Sequence, residues 1–546
     1  MTRSHKNKSR SITHLIQSSD KGNFQSSYQL YRNYLEGKNV EQKDEDLAYQ
    51  YLKKVESALV EKRFFLSSIH MTDFRRFKYL EVSFDEKLTV LIGANGAGKT
   101  SVAEGIAKTL SWLNNNLEKT DVVGRPITES DIYVGSKKFS EVATTFKFDE
   151  QNTFDVSIGT TVSGYDGSSP TDVVGIRQVA EMYKSTAQNS SIHIPLLVFY
   201  SVARSDFSLY STITEVASGD SVSNRFSDFK TALDGSGKLE DFSKLYIELV
   251  NQAKGENTKE VEELKFQIKT LQATIDDVYS GQITPENDPF NAKLNSKKQE
   301  LADLIKTKSV TKYQQHLELV NLAIEALVPE IRNLEVDRSS GKARLMVDNF
   351  GSRVNIAQLS QGQKMLVALS GDLARRLIKL NPDSENPLHS HGIVVIDEIE
   401  LHLHPKWQQE VLINLQKTFP KLQFIVTTHS PQVLSTIDKD CIRIIRFDGD
   451  GNASIDTPEF QTKGVCSSDV LEQIMGTFAI PMVCEAKWLS DYSALVAENL
   501  WKSQEGVELF DKLIKHFGAE HPEIVKIESD IRTQEFKLRV KELKGD

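Results

Sequence analysis

The chain has 546 residues, a formal net charge of -10 and 39% hydrophobic residues, enough for more than one domain and a substantial core. No apolar run approaches the roughly 18 residues of a membrane span, no apolar segment follows the basic N-terminus, and three cysteines lack metal-type spacing. The sequence therefore predicts a reduced, cytoplasmic protein without membrane contact, whose acidity disfavours nonspecific coating of DNA but permits a local basic groove.

Residues 1–60 predict a basic tail followed by a helical pair. Four basic residues fall within the first ten positions, and a disordered solubilising tail is favoured over nucleic-acid contact. From about 12 to 60, apolar residues follow helical spacing on two short faces, similar to a single Sel1-like or tetratricopeptide repeat. One such repeat cannot bury its own face, so it should dock on the rest of the chain or on a partner.

Strand-like and helical segments alternate in the middle of the chain, which predicts an α/β core with a mainly parallel sheet. Residues 61–254 form its first half and 313–457 its second half, which ends in a hairpin turning at Asp448-Gly449. Between them, 255–312 reads as an antiparallel hairpin of two polar helices, favoured over two helices packed flat on the surface. Residues 458–546 are predicted to be a helical, partner-binding region.

A glycine-rich stretch, GANGAGKT at 93–100, matches the phosphate-binding pattern G-x-x-x-x-G-K-[ST] and lies between a buried strand and a helix. Glycines allow consecutive backbone N–H groups to surround phosphate oxygens at a helix N-terminus. Lys99 should bridge the β- and γ-phosphates, and the Thr100 hydroxyl should ligate Mg²⁺. The predicted nucleotide-binding residues of this loop are Asn95, Gly96, Ala97, Gly98, Lys99, Thr100 and Ser101.

Two carboxylates follow the apolar run IVVI at the carboxyl end of a buried strand, where ligands of open α/β sheets collect. Asp397 is predicted to hold Mg²⁺ through water, and Glu398 to polarise the attacking water. Capping of the next helix is the disfavoured alternative for this pair. His429 ends another buried strand and is predicted to reach the γ-phosphate.

The order of these features resembles the head of ABC-type ATPases: a P-loop, a long insertion, Ser-Gln-Gly-Gln, Asp-Glu and then His. Within that superfamily the chain resembles the SMC and RecF-like branch over about 64–450, including MTDFRRFKYLEVSFDEKLTVLIGANGAGKTS, PLLVFYSVARSD and ELHLHP. The resemblance implies an α/β P-loop ATPase head with a short coiled-coil hairpin, and ATP and Mg²⁺ as cofactors. It also places Phe74, Arg75 and Arg76 near the nucleotide base, and Gln178 is a candidate for the Q-loop glutamine.

Ser360-Gln361-Gly362-Gln363 precedes an apolar helical pattern and predicts a capping box between Ser360 and Gln363. Gly362 costs a first helical turn roughly 1 kcal/mol relative to alanine, and the cap does not need it. In an ABC-like head the chain's own P-loop already holds a nucleotide. Ser360, Gly362 and Gln363 are therefore predicted to contact the nucleotide of a facing subunit, although the motif departs from the commoner Ser-Gly-Gly-Gln.

The whole layout is similar to the PtuA-like ATPases of Septu-type and retron-associated antiphage systems. That resemblance implies a homodimer or higher oligomer, formed around ATP, that controls an HNH nuclease of the PtuB type. For the retron form, it also implies a reverse transcriptase and its RNA-linked DNA as partners.

Other functions stay open at this point. A DNA-repair or chromosome-maintenance ATPase acting directly on DNA would be favoured by a basic stripe beside the hairpin. A nuclease of the overcoming-lysogenisation type is disfavoured, because the helical residues after Glu485 are too few for a Toprim domain. Intact Lys99 and Asp397 disfavour a scaffold with degenerate ATP binding, and a metal site at His402 and His404 is disfavoured because no third ligand is near.

Overall fold

The computed structural model describes residues 2–205, 225–226, 229–235, 239–279, 289–307, 312–339, 343–478 and 480–544. Two compact units divide the chain, Met1–Val465 and Cys466–Asp546. Within the described ranges, no helix combines the length and the apolar composition needed to cross a membrane.

Three helices open the first unit, α1 (Thr2–Asp20), α2 (Phe24–Glu36) and α3 (Glu45–Glu61). The expected disordered tail is wrong, because α1 begins at Thr2 and continues through the basic stretch. No glycine or proline interrupts these positions, so nothing in the local sequence stops the helix that 12–20 already favours. Between α2 and α3, Gly37 ends the first helix in the left-handed conformation at φ 66°, as a C-terminal cap requires.

The helical pair of α2 and α3 docks on its own chain. Phe24 packs edge-to-face on Phe148 with ring centroids 4.9 Å apart, and its backbone N–H donates to Asn152 Oδ1 at 3.0 Å. Arg32 forms an ion pair with Glu181 at 2.8 Å. The expectation that a single repeat must cover its apolar face is confirmed, and the surface it covers belongs to the same unit.

Thirteen strands occur in the described ranges, and they form three sheets. In chain order they are β1 (Phe65–Phe74), β2 (Phe77–Ser83), β3 (Leu88–Gly93), β4 (Phe139–Asp149), β5 (Asn152–Thr161), β6 (Leu196–Tyr200), β7 (Ile331–Asp337), β8 (Arg344–Asn349), β9 (Ser352–Asn355), β10 (Gly392–Ile396), β11 (Leu422–Thr427), β12 (Ile442–Phe447) and β13 (Ala453–Asp456). The helices between them are α4 (Lys99–Glu118), α5 (Val174–Thr186), α6 (Phe229–Ala232), α7 (Leu239–Tyr279), α8 (Pro289–Thr307), α9 (Lys312–Leu327), α10 (Gln361–Leu380), α11 (Pro405–Thr418) and α12 (Pro431–Leu434).

The six-stranded sheet has the order β13-β12-β3-β11-β10-β6 and is parallel except for its last hairpin. Every residue of β6, β10 and β11 is buried, as expected for parallel strands covered on both faces. Ile396 pairs with both Tyr200 and Val426, so the carboxyl ends of these three strands meet at one edge. The predicted mainly parallel sheet is confirmed, and so is the terminal hairpin, whose turn is closed by Asp448.

Two smaller antiparallel sheets flank this core. One has the order β2-β1-β4-β5, and the other consists of β7, β8 and β9. The second sheet leads directly into α10, because β9 ends at Asn355 and α10 begins at Gln361.

The insertion consists of α7 and α8, which contact each other as the two limbs of the predicted hairpin. Leu264 and Ile275 of α7 and Leu294 of α8 are buried, whereas Phe266 is 72% exposed. The expected start at 255 differs from the structure, since α7 begins at Leu239 and runs through that position without a break. A lone glycine at 255 does not end a helix that both flanks favour. The connection between the two limbs, 280–288, lies outside the described residues.

The second unit consists of α13 (Ser467–Gln473), α14 (Cys484–Ala497), α15 (Gln504–Phe517) and α16 (Pro522–Lys544). Its own core contains Tyr492, Trp501 and Leu513. The described residues of this unit contain no strand, whereas a Toprim nuclease domain is an α/β structure.

Candidate functional site

The glycine-rich loop connects β3, which ends at Gly93, to α4, which begins at Lys99. Gly96 and Gly98 have positive φ values of 74° and 90°, which glycine adopts without strain. A Cβ atom on Gly98 would also lie 2.3 Å from the ring of Phe77. The sequence therefore needs glycine at Gly98 for two reasons, its backbone conformation and the close approach of an aromatic ring.

Lys99 lies inside this loop with only 6% of its surface exposed. Its Nζ donates to the carbonyls of Gly93 at 2.9 Å and Ala94 at 3.1 Å. Burial lowers the pKa of Lys99, while the nearby Asp397 and Glu398 carboxylates oppose that shift. The ammonium group is therefore held by carbonyl oxygens that it can exchange for the oxygens of a phosphate.

The rest of the loop fits the phosphates of a nucleotide. Asn95 and Gly96 are exposed, and Ala97 is buried with its N–H donating to the Ala94 carbonyl at 3.0 Å. Ser101 is half-buried in the first turn of α4, a helix of 20 residues whose N-terminus favours anions.

Asp397 follows β10 and connects the loop to the edge of the sheet. Its Oδ2 accepts a hydrogen bond from Thr100 Oγ1 at 2.9 Å, and its Oδ1 accepts one from Thr427 Oγ1 at 2.6 Å. Asp397 is 1% exposed, and Thr100 is exposed. Hydroxyl and carboxylate oxygens beside a phosphate site are the ligands that Mg²⁺ uses, so these two side chains fit the predicted metal site.

Glu398 is half-buried and has an unusual backbone conformation for a residue with a side chain, with φ at 50°. Its N–H donates to Thr427 Oγ1 at 2.8 Å. The next N–H, of Ile399, donates to the Thr427 carbonyl at 3.1 Å. The turn that carries Glu398 is therefore hydrogen-bonded to the end of β11.

His429 follows β11, and burial together with the charge of Lys99 lowers its pKa. Its backbone N–H donates to Glu400 Oε1, and the hydroxyl of Thr428 donates to Glu400 Oε2 at 2.8 Å. Glu400 thus joins the segment after β10 to the segment after β11 and helps to place His429.

The two arginines of the FRRF stretch have different surroundings. Arg76 donates to the carbonyl of Gly96, and its guanidinium lies 4.1 Å from the ring centroid of Phe447. Arg75 instead forms ion pairs with Glu104 and, at 2.9 Å, with Asp131. Of the two, Arg76 is the one that contacts the glycine-rich loop, and the expectation for Arg75 is revised to a structural role.

Phe74 is also revised, because it is completely buried and therefore closed to a nucleotide base. Gln178 lies on α5 and accepts a hydrogen bond from Gln25 at 2.7 Å, so it contacts the N-terminal helices and is no Q-loop glutamine. His404 caps α11 through its Nδ1, and the described residues contain no group of three or more His, Cys, Asp or Glu that could hold a metal.

The predicted capping box at the start of α10 is confirmed. Ser360 Oγ accepts from the Gln363 N–H at 3.3 Å, and Gln363 Oε1 accepts from the Ser360 N–H at 3.2 Å. Gln363 is 4% exposed and also donates to Asn349 Oδ1 at 2.9 Å, so its amide is occupied within its own chain. Of the three signature residues, only Ser360 is exposed.

Neighbouring residues of the same chain explain why position 362 is glycine, which the sequence alone does not reveal. A Cβ atom at this position would lie 2.6 Å from the carbonyl oxygen of His402 and 3.2 Å from the ring of Trp407. The start of α10 therefore packs directly on the segment that follows Glu398.

Three contributors to the site were not identified from the sequence: Thr427, Glu400 and Arg204. Polar residues at the exits of buried strands are the signal they share. Arg204 follows β6, is 2% exposed, and donates to the backbone carbonyls of both Asp397 and Glu398.

Comparisons with known proteins identify an ATPase domain in this chain. Residues 65–434 match the family described as AAA ATPase domain. The retron Ec83 probable ATPase of Escherichia coli is 30% identical over 532 residues, covering 95% of this chain and 96% of that protein. The retron Vc95 probable ATPase of Vibrio cholerae serotype O1 biovar El Tor is 30% identical, covering 92% and 97%.

More limited similarities were also found. The Septu protein PtuA of Bacillus mycoides (strain KBAB4) is 34% identical over 112 residues, covering 20% of this chain and 15% of that protein. Among solved structures, the Smc head domain of Pyrococcus furiosus bound to the C-terminal domain of ScpA covers 72% of this chain and 96% of its own, at 16% identity and a TM-score of 0.40.

The first unit is an α/β ATPase domain, with the glycine-rich loop and the two acidic residues at the carboxyl edge of one mainly parallel sheet. The chain is an ATPase, and it belongs to the AAA ATPase domain family and to the family of the retron Ec83 and Vc95 probable ATPases.

Proposed function

We propose that this ATPase hydrolyses ATP with Thr100 and Asp397 as the residues that hold Mg²⁺, and with Glu398 as the general base. The observation that carries the proposal is the 2.9 Å hydrogen bond between Thr100 and Asp397, which joins the phosphate-binding loop to the acidic edge of the sheet. Bound Mg²⁺ would neutralise charge on the phosphate oxygens.

The side chains around this contact have separate roles. Lys99 binds phosphate oxygens in place of the carbonyls of Gly93 and Ala94. The carboxylate of Glu398 accepts a proton from the attacking water. His429, which follows the neighbouring strand, contacts the γ-phosphate, and burial lowers its pKa and so favours the neutral imidazole.

The same proposal includes a dimer or a higher oligomer in which ATP lies between two copies. Ser360 is exposed at the N-terminus of α10, a helix of 20 residues, where hydroxyl and N–H groups favour anions. Because the chain's own phosphate-binding loop is built on β3 and α4, the phosphate at Ser360 belongs to a second copy.

The biological role proposed is antiphage defence in the cytoplasm. Its support is the similarity to ATPases named for retrons over nearly the whole chain, together with the shorter similarity to Septu protein PtuA. In this role the nucleotide-dependent dimer controls an HNH nuclease of the PtuB type. A reverse transcriptase and its RNA-linked DNA complete the retron form of the system.

The test is Glu398→Gln, which keeps the size of the side chain and removes its basicity. Hydrolysis should slow by about 100-fold or more, while ATP binding persists and the closed dimer accumulates. The matched control is Glu385→Gln at an exposed position outside the site, which should hydrolyse ATP normally. Normal turnover in Glu398→Gln would contradict the proposed role.

A further inference from the structure

Arg204 lies in the helical turn Val202–Ser205 that follows β6, and it is among the most buried large side chains of the described residues. Its Nη1 donates to the Asp397 carbonyl and, at 2.9 Å, to the Ser201 carbonyl. Its Nη2 donates to the Glu398 carbonyl at 2.5 Å. Although burial lowers the pKa of Arg204 to about 10, the guanidinium is charged at neutral pH.

The targets of Arg204 are the two peptide groups on either side of the Glu398 Cα. The first peptide contains the Asp397 carbonyl, held by Arg204, and the Glu398 N–H, held by Thr427 Oγ1. The second contains the Glu398 carbonyl, held by Arg204, and the Ile399 N–H, held by the Thr427 carbonyl. Each peptide plane is therefore hydrogen-bonded at both ends, on one side by Arg204 and on the other by Thr427.

Fixing both peptide planes fixes φ and ψ of Glu398, and hence the direction of its Cα–Cβ bond. That conformation needs support, because φ at 50° is unfavourable for a residue with a side chain. Left-handed residues of this kind persist where surrounding hydrogen bonds determine them, and they cluster at functional sites.

Arginine suits this task better than other basic residues do. Its planar guanidinium presents several N–H groups in a rigid fork, so one side chain reaches two successive carbonyls. The lysine ammonium is a single point charge on a flexible stem and cannot hold both carbonyls with the same geometry.

We propose that Arg204 is a positioning residue for ATP hydrolysis, which acts by holding both peptide groups around Glu398 so that its carboxylate faces the nucleotide. The inference rests on the proposed role of Glu398 as the general base. The hydrogen bonds of the Arg204 guanidinium go to backbone carbonyls, so its removal is expected to affect hydrolysis more than ATP binding.

The experiment compares Arg204→Lys, which keeps the buried charge, with Arg204→Met, which keeps much of the volume. For both variants kcat should fall about 10- to 100-fold, since displacement of a reacting group by about 1 Å has an effect of that size. The KM and the dissociation constant for ATP should change less than about twofold. A matched control for the loss of a buried hydrogen bond is Tyr246→Phe, on α7, whose hydroxyl lies 2.9 Å from both Asn321 Oδ1 and the Leu334 carbonyl oxygen.

A double-mutant cycle identifies the residue through which Arg204 acts. In the Glu398→Gln background, Arg204→Lys should cause no further loss of kcat, because the misplaced base is already absent. Multiplicative losses would overturn the proposal, as would unchanged kcat in both Arg204 variants. Failure of both variants to fold, checked by circular dichroism and thermal unfolding, would also overturn it, since Arg204 would then serve the fold alone. Normal turnover in Glu398→Gln by itself would instead remove the proposed function on which the inference rests.

Discussion

Thr427 donates a hydrogen bond from its hydroxyl to Oδ1 of Asp397 at 2.6 Å. The other carboxylate oxygen accepts from Thr100, so both oxygens of Asp397 have fixed hydrogen-bond donors. Thr427 ends β11 and Asp397 follows β10, which are neighbouring parallel strands. A residue one strand away from the acidic pair therefore sets the orientation of the predicted Mg²⁺ ligand.

We expect Thr427→Val to lower ATP hydrolysis, because valine keeps the shape of threonine but loses the bonds to Asp397 and to the Glu398 N–H. The free energy of unfolding should fall by about 1–3 kcal/mol, as a buried carboxylate and a backbone N–H lose a partner. Steady-state kinetics and urea denaturation measure the two effects. Thr427→Ser, which keeps the hydroxyl, is the control, and equal activity of the valine and serine variants would contradict this role.

Ser360→Arg should abolish ATP-induced dimerisation while leaving ATP binding by the monomer intact. The arginine side chain would occupy the exposed position where the facing nucleotide is expected. Loss of the N-cap costs about 1 kcal/mol, so Ser360→Asn, which preserves capping, separates the two effects. Light scattering with and without ATP, combined with a nucleotide-binding assay, gives the readout. If Ser360→Arg lost ATP binding in the monomer, the cap would serve only its own helix.

Gly362→Ala should destabilise the first unit by about 1–3 kcal/mol, although alanine is the better helix former. The added Cβ would lie 2.6 Å from the His402 carbonyl, and that neighbour is backbone and cannot move aside cheaply. Gly449→Ala is the control, because nothing lies within 4 Å of a Cβ there. Equal unfolding free energies for the two variants would show that α10 does not need this close approach.

Acidification should destabilise the protein through His391. Burial, reinforced by the charges of His193 and Arg63, lowers the pKa of His391 to about 3 from 6.5. The contribution of neutral His391 to the free energy of unfolding is complete above about pH 6.5. It is lost as the pH falls towards 3, because only the unfolded chain binds the proton in that range. The slope should be about 1.4 kcal/mol per pH unit.

Urea denaturation between pH 7.5 and pH 5 measures this slope. In His391→Gln, the part of the slope that comes from His391 should be absent. Glutamine keeps a polar group beside the Tyr183 hydroxyl, which lies 3.3 Å from Nε2 of His391. If the free energy of unfolding depended on pH in the same way in the wild-type protein and the variant, other groups would be responsible for the acid sensitivity.

Much of the fold and the core of the site could be predicted because they depend on local patterns. The buried apolar runs that lead to Gly93, Asp397 and His429 are parallel strands, and parallel strands bring their carboxyl ends to one edge. The cap at Ser360 likewise depends only on residues three positions apart.

Other features depend on neighbours that are distant in sequence. Arg75 and Arg76 are adjacent residues of the same type, so the sequence does not distinguish their roles. Arg75 has φ at 52° in the turn between β1 and β2, and the two side chains contact different partners. The need for Gly362 follows from the nearby His402 carbonyl and Trp407 ring. The role of Arg204 follows from two carbonyls in the segment after β10. The basic charge of the N-terminus does not indicate a helix there, whereas the absence of glycine and proline over 2–20 permits one.

The continuity of α7 has a mechanical consequence. A straight helix of 41 residues is about 60 Å long, and this one begins beside α10 and extends into the insertion. Gly371 of α10 lets the ring of Phe242 of α7 approach so closely that a Cβ would lie 2.3 Å from it. The helix that forms one limb of the insertion is therefore in direct contact with the helix capped by Ser360, and one continuous rod of backbone joins the insertion to the surface where two copies are expected to meet.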